Sequence, residues 1–280
     1  MKKIDAHNHP GLSGWTYEEI IAQQDEAGID KIFLLAIEAT NTDEPGPLDI
    51  ALERCLEYYE RSPERFLLGC APDPRIPGAI DRLELLVRDY GIKICGEVKI
   101  RMMYDNRDAI DMFRRCGELR LPVVLHMQEA AASPTHQKYP RPHMWYGGDI
   151  DTVERVLALC PETAIMAHST AFWSFISNDD KGKTQNYPRG EVIPGGKIEK
   201  LLEKYPNLYC DCSGDSGLFA LQRSPEYAKK LMLTYPEKFI FARDFYSNEL
   251  SDFVDSLGLP EENLELFYHG NLERLIGEEL

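Results

Sequence analysis

The sequence predicts a closed (β/α)8 TIM barrel of the α/β class, and three observations lead to that prediction. Eight short apolar runs alternate with eight longer stretches whose apolar residues recur at helical spacing. Nothing between them has linker composition, so the 280 residues read as one domain spanning 1–280, a length that suits a single barrel. Polar residues able to do chemistry fall at the carboxyl ends of several apolar runs, the barrel face on which active sites are built. A doubly wound open sheet is the alternative arrangement of the same alternation.

The expected strands are 3–9 (KIDAHNH), 31–37 (KIFLLAI), 65–72 (RFLLGCAP), 92–100 (IKICGEVKI), 122–128 (PVVLHMQ), 163–169 (TAIMAHS), 208–213 (LYCDCS) and 239–245 (FIFARDF). The helical patterns are 16–28, 48–62, 79–91, 107–120, 149–160, 196–206, 224–236 and 262–277. Several of them stop at Gly or Pro, as helix ends do. Two connections are long, 129–147 after the fifth strand and 170–196 after the sixth. In a barrel both overhang the active-site mouth, so they are expected to be lid or specificity loops. The stretch NDDKGK at 178–183 is expected to be a solvated loop tip.

Composition narrows the class of function. With 43% hydrophobic and 28% charged residues the chain should be ordered and globular. A net charge of −16 repels a phosphate backbone, so no nucleic-acid partner is expected. A small anionic substrate stays compatible, because a metal and local cations reverse the sign inside a pocket. No run approaches the roughly 20 apolar residues that cross a bilayer. The opening MKKIDAHNHP lacks the apolar segment of a signal peptide, which leads to the expectation of a cytoplasmic protein. The seven cysteines are odd in number and sit mostly in apolar runs, so reduced, buried thiols are expected. Cys210 and Cys212 share one strand face and are read as core residues in preference to metal ligands.

The segment IDAHNHP carries the first chemical signal. On a strand, the period of two sends Asp5, His7 and His9 to one face, where adjacent imidazoles can grip one metal ion. Pro10 then ends the pairing. At other strand ends stand Glu97 and Lys99 (fourth), His126 (fifth), His168 (sixth) and Asp244 (eighth). A borderline divalent cation takes imidazole and carboxylate ligands, and catalysis needs one position left for water or substrate. Each residue alone has an ordinary structural explanation, but their joint placement does not.

DAHNHP, PVVLH, AIMAH, FIFARDF and the closing GNLERLIG together resemble, in order and spacing, the amidohydrolase superfamily, and more closely its amidohydrolase family 2 branch of metal-dependent hydrolases and decarboxylases. The resemblance runs over nearly the whole chain. It implies a divalent metal, commonly zinc as one or two ions with manganese as the alternative. His7, His9 and His126 are then metal ligands, Asp244 binds the metal and handles the proton of its water, and His168 ligates or hydrogen-bonds that water or the substrate oxygen. Family members often read Gly-Ser-Asp where this chain has Ala-Arg-Asp. Arg243 would pair with Asp244, bind a substrate carboxylate or face the helix layer, and strand alternation favours the last. In some branches of the superfamily a fourth-strand glutamate or modified lysine bridges two metals, and the ligand set with Glu97 also resembles that of the metal-dependent deoxyribonuclease branch, although the loops lack the basic excess a phosphodiester substrate would favour. Glu97 therefore bridges, pairs with Lys99, or orients a ligand histidine.

Lys99 and Arg101 share a face with Glu97 and are candidates for binding a substrate carboxylate, although Arg101 would be merely solvated if the strand ends before it. His143 and Trp145 are further substrate-binding candidates, and His136, Trp173 and Tyr187 offer polar or stacking contacts unless they only pack the loops. The reaction expected is attack of activated water on a carbonyl of a small amide, ester or lactone. Non-oxidative decarboxylation of an unsaturated or aromatic acid is the alternative, and a noncatalytic ligand-binding barrel is the reading from another class. A small-molecule partner is expected, and assembly into a homo-oligomer is compatible with any of these.

Overall fold

The computed structural model describes residues 1–11, 14–38, 50–129 and 145–280. Among the described residues eight strands follow one another: β1 (Ile4–Asn8), β2 (Lys31–Ile37), β3 (Phe66–Ala71), β4 (Cys95–Val98), β5 (Val123–His126), β6 (Ile165–His168), β7 (Leu208–Asp211) and β8 (Phe239–Ile240). All pairings are parallel, in the orders β1-β2-β3 and β4-β5-β6-β7-β8. Two seams join these sheets into a ring. Cys70 N donates to Ile94 O and Lys93 N to Leu68 O, both at 3.1 Å, tying β3 to β4. Ala6 N donates to Phe241 O at 3.1 Å and Asp244 N to His7 O at 2.8 Å, tying β1 to the segment leaving β8. The structure is thus the expected (β/α)8 TIM barrel.

Strand alternation divides the apolar residues into two layers. Ile4, Ala6, Phe33, Leu35, Ile94, Val124, Met166, Ile240 and Ala242 form one buried cluster inside the barrel, joined by Leu272 from the last helix (Asn271–Ile276). The larger cluster packs the outer strand faces, such as Leu34, Leu68 and Leu125, against helices 79–90, 107–118 and 150–159 through Leu83, Phe113 and Val156. Burying these side chains supplies about 25 cal/mol per Å² of apolar surface removed from water.

Alternation breaks at two places that shape the mouth. In β1 the pairs Ile4↔Lys31, Asp5↔Ile32 and Asn8↔Leu34 set three steps of one strand against two of the other. This bulge inverts the parity, so His7 and His9 face the mouth while Asp5 faces the helix layer. The expectation that Asp5 shares a face with the two histidines is therefore corrected. β4 does the same between Cys95↔Val123 and Val98↔Leu125. Ile94 lies inside and Cys95 and Val98 outside, which leaves Gly96 and Glu97 as consecutive inward residues. Gly96 has room there only because it lacks a Cβ, which would lie 2.7 Å from Val124 Cβ.

The helical patterns all appear within a few residues of expectation, the last one interrupted by a π-type turn at Leu266–Gly270. Helices 214–222 and 249–256 were not expected from the sequence. The first begins Gly-Asp-Ser-Gly, which reads as a turn. The connection after β6 is less of a lid than expected, because its short helix Thr170–Trp173 is buried and Phe172, Trp173 and Ile176 belong to the core. NDDKGK is solvated only in part. Asp180 and Lys183 are exposed, but Asp179 is buried against Arg223 at 2.7 Å. All seven cysteines are buried and free, with Cys210 and Cys212 in the outer core as expected. Among the described residues no helix is long and apolar enough to cross a membrane.

Helix 214–222 rests directly on the chain leaving β7, since a Cβ on Gly217 would lie 2.4 Å from the carbonyl oxygen of Cys212. That contact is backbone and cannot rotate away. Gly217→Ala is expected to lower the unfolding free energy by about 1–3 kcal/mol, read from the urea midpoint at unchanged m-value.

Candidate metal centre

His7 and His9 are oriented from behind. His7 Nδ1 donates to Asp211 Oδ2 at 2.8 Å, and His9 Nδ1 donates to the carbonyl of Leu35 at 2.8 Å. Both rings thus turn Nε2 toward the mouth, and these two nitrogens are 3.3 Å apart. Glu97 Oε2 lies 3.5 Å from His9 Nε2, and Glu97 Oε1 lies 3.8 Å from His7 Nε2. Asp244 Oδ1 is 3.4 Å from His9 Nε2 and 3.8 Å from His7 Nε2. A tetrahedral ion bound at about 2.1 Å separates its ligand atoms by about 3.4 Å, so this donor set has the spacing and chemistry of a divalent-cation site.

A second group adjoins it. His126 Nδ1 lies 2.6 Å from Glu97 Oε1, and His168 Nε2 lies 3.8 Å from Glu97 Oε1 and 3.7 Å from Asp244 Oδ2. His7–His9–Glu97, Glu97–His126–His168 and His7–His168–Asp244 each bring their ligand atoms within 4.8 Å of one another. The six residues expected to meet at the mouth are therefore brought together. Glu97 belongs to two of the trios and also hydrogen-bonds His126, which serves a bridging or an orienting role equally.

Three supporting residues escaped the sequence reading. Asp211 holds His7, Ser213 Oγ lies 2.9 Å from His168 Nδ1, and Ser169 Oγ lies 3.1 Å from His126 Nε2. Asp211 was legible in principle, because Cys210 and Cys212 facing the outer core leave the residue between them facing in. Backbone strain helps place Ser169 and one of the six, Asp244. Ser169 and Asp244 have φ of 78° and 59°, left-handed values that few non-glycine residues adopt.

The electrostatics follow from burying three carboxylates among four imidazoles. Burial opposes charge on His7, but Asp211 foremost, then Asp244 and Glu97, push its pKa up to about 10. His9 is raised against burial by hydrogen bonds to Asp244 and Glu97. His168 moves the other way, down to about 4, because burial outweighs the attraction of Asp211 and charge on His7 adds to it. His126 is lowered by burial and by Lys99. Despite burial, Glu97 is held well below the usual carboxylate range by His126 and Lys99, and Asp244 below it by His9 and His7.

Lys99 follows the end of β4, with Val98 and Ile100 turned into the outer core, so that it and Arg101 stay on the side of Glu97. Its Nζ lies 5.6 Å from the ring centre of Tyr146, which meets His126 edge-on at 5.3 Å. Trp145, next to Tyr146, and Arg101 are half-buried. His136 and His143 lie outside the described residues. Trp173 is a support, its Nε1 donating to the carbonyl of Asp211 at 2.9 Å. Tyr187 stacks edge-on with Phe219 at 6.0 Å, and burial together with Asp215 and Asp244 raises its phenol. Arg243 faces the helix layer as alternation suggested, bonding Asp5 and Gln23 rather than Asp244.

No protein-family model and no curated protein sequence matches the chain. Solved structures do. An uncharacterised TIM-barrel protein of Bordetella bronchiseptica matches with TM-score 0.67 at 15% identity, covering 99% of both chains. A dihydroxybenzoic acid decarboxylase of Polaromonas sp. JS666, with bound manganese and the inhibitor 2-nitroresorcinol, matches with TM-score 0.62 at 17% identity, over 99% of this chain and 97% of that one. An amidohydrolase of Burkholderia multivorans with bound zinc matches with TM-score 0.62 at 12% identity over the full length of both. Other neighbours are described as decarboxylases, an amidohydrolase and a 2-pyrone-4,6-dicarboxylic acid hydrolase, and at these identities the likeness establishes the barrel fold.

The opposed histidine shifts predict how the metal-free protein responds to pH. His7, raised in the folded state, contributes stability that is full below its unfolded pKa near 6.5 and is lost as pH rises toward 10. His168, depressed in the folded state, contributes stability that is full above 6.5 and is lost as pH falls toward 4. Urea unfolding of chelator-treated protein is expected to give a midpoint that is highest near pH 6.5 and falls at pH 5 and at pH 9. A midpoint still rising from pH 6.5 to 9 would contradict the assignment for His7.

Proposed function

We propose that the chain is a metal-dependent hydrolase of the amidohydrolase superfamily, acting on a carbonyl of a small amide, ester or lactone that can carry a carboxylate. The observation that carries this reading is the convergence of His7, His9, Glu97, His126, His168 and Asp244 at the barrel mouth. In this reading those six residues hold one or two ions, zinc first and manganese second. A divalent cation supplies a water molecule with a pKa lowered toward neutrality and polarises a carbonyl. Asp244, at 19% side-chain exposure the most accessible of the set, takes the proton of the attacking water and returns it to the leaving group. His168, held by Ser213, hydrogen-bonds the substrate oxygen. Lys99, whose ammonium lies over Tyr146, and Arg101 receive a substrate carboxylate, with Trp145 a further substrate contact. His143 keeps its place as a substrate-binding candidate on sequence grounds alone.

Non-oxidative decarboxylation is the second reading, favoured by the likeness to the Polaromonas decarboxylase. Here the same residues fix the acid and the protein delivers a proton to carbon.

Metal content by plasma mass spectrometry, on protein purified without chelator, should give about one to two equivalents of zinc or manganese, reduced in His7→Ala and Asp244→Asn. Wild type that is metal-free and refuses added zinc would leave a noncatalytic ligand-binding barrel as the better reading. Turnover of a panel of lactones, amides and aromatic acids in 18O-labelled water then separates the reactions. Label in the product is expected for hydrolysis, whereas released carbon dioxide with solvent deuterium on carbon would replace hydrolysis by decarboxylation.

A further inference from the structure

Asp5 and Arg243 lie behind the metal centre, on the helix side of β1 and of the segment leaving β8. Both are buried, and Arg243 Nε donates to Asp5 Oδ2 at 2.8 Å. The arginine is turned away from the mouth toward Gln23 of helix 17–27, to which its Nη1 donates at 2.8 Å, and Gln23 in turn donates to Asn248. It is therefore placed to act on the chain rather than on a substrate.

Asp5 also accepts from the Arg243 backbone N–H at 3.0 Å, from the His7 backbone N–H at 3.2 Å and from Asn8 Nδ2 at 3.0 Å. Each of these donors belongs to the bulge that carries the β1 histidines or to the residue just before Asp244. Further cross-ties run between the same two segments: Asp244 N to His7 O at 2.8 Å, Asn8 Nδ2 to Phe245 O at 3.3 Å, and Tyr246 OH to His9 O at 2.7 Å. Asp244 keeps its left-handed φ of 59° within this frame. One carboxylate thus sets the bulge in β1 and the backbone entering Asp244 at once.

We infer that Arg243, acting through Asp5, is a positioning residue that sets Asp244 against His7 and His9. The inference rests on the metal-centre reading. A buried ion pair adds little net stability over an apolar pair, but its hydrogen bonds are directional, and here they point to the backbone of metal-site residues. Removing the pair should loosen the donor geometry more than the fold.

The test uses full-length protein stripped with chelator and titrated with Zn2+ and with Co2+, whose visible spectrum reports coordination geometry. Arg243→Gln and Asp5→Asn should each weaken binding at least tenfold and alter the Co2+ bands, whereas Arg243→Lys, which keeps the charge, should recover part of both. Leu272→Ala, in the barrel interior away from the mouth, should lower the melting temperature while leaving affinity and spectrum unchanged. Should Arg243→Gln fail to fold, Arg243→Lys and Asp5→Asn decide by the same readouts. Folded variants that bind Co2+ with wild-type affinity and spectrum would overturn the inference and leave the metal centre standing. Wild type that takes up neither ion would overturn the metal-centre reading and the inference with it.

Discussion

Glu97 and Asp211 carry carboxylates with almost no access to water, and Asp244 is only slightly better exposed. An isolated anion in such a place either neutralises or acquires a counter-charge, because desolvation costs several kcal/mol per ion. Here the counter-charge available from the chain is divided unevenly. His7 and His9 are pulled toward protonation, while His126 and His168 are pushed away from it. Four imidazoles so close together cannot all be cationic, so the histidines alone do not answer all three negative charges, and Lys99 supplies a further positive charge beside Glu97. A divalent ion held by this cluster would answer the carboxylate charge while the imidazoles stay neutral as ligands.

The rest of the mouth is arranged to bring these groups together. A regular strand alternates its side chains and cannot send two consecutive residues inward, yet β1 and β4 each do so by a bulge. Without it His7 would follow Asp5 into the helix layer, and Glu97 would follow Cys95. Left-handed backbone at Ser169 and Asp244 does similar work just after β6 and β8, where those chains must turn at once. Irregular backbone concentrates where geometry matters to the chemistry, while the strand interiors below stay regular. The packed barrel floor makes such irregularity tolerable.

This division explains what was legible in the sequence. The barrel was, since alternating apolar runs and helical patterns arise from burial, which acts over many residues and survives local exceptions. The six clustered residues were legible because each ends a strand, and strand ends in a barrel converge whatever their separation along the chain. Parity at Asp5 was not, because a bulge leaves no mark in residue pattern and the period of two is the only guide available. Asp211 hid between two cysteines whose shared face and core role were read correctly but whose direction was not assigned. The partner of Arg243 was out of reach for a related reason: alternation gave its direction, but Asp5 had been assigned to the wrong face. Asp179 was missed because a loop charge reads as solvated unless its distant counter-ion, Arg223, is known.

Charge at the mouth also constrains the substrate. Glu97, Asp211 and Asp244 bring three negative charges, and Lys99 brings one positive charge close enough to lower His126. Keeping His126 neutral preserves a nitrogen lone pair for a metal, so Lys99 favours the ligand form of its neighbour without being a ligand. One divalent ion with neutral imidazoles would balance Lys99 and the three carboxylates, so that a neutral carbonyl substrate would enter without electrostatic penalty. Two ions would give the site a net positive charge, which would draw in a carboxylate-bearing substrate. The number of ions held around Glu97 would therefore set the preferred substrate charge, because Glu97 is shared by two of the three ligand trios.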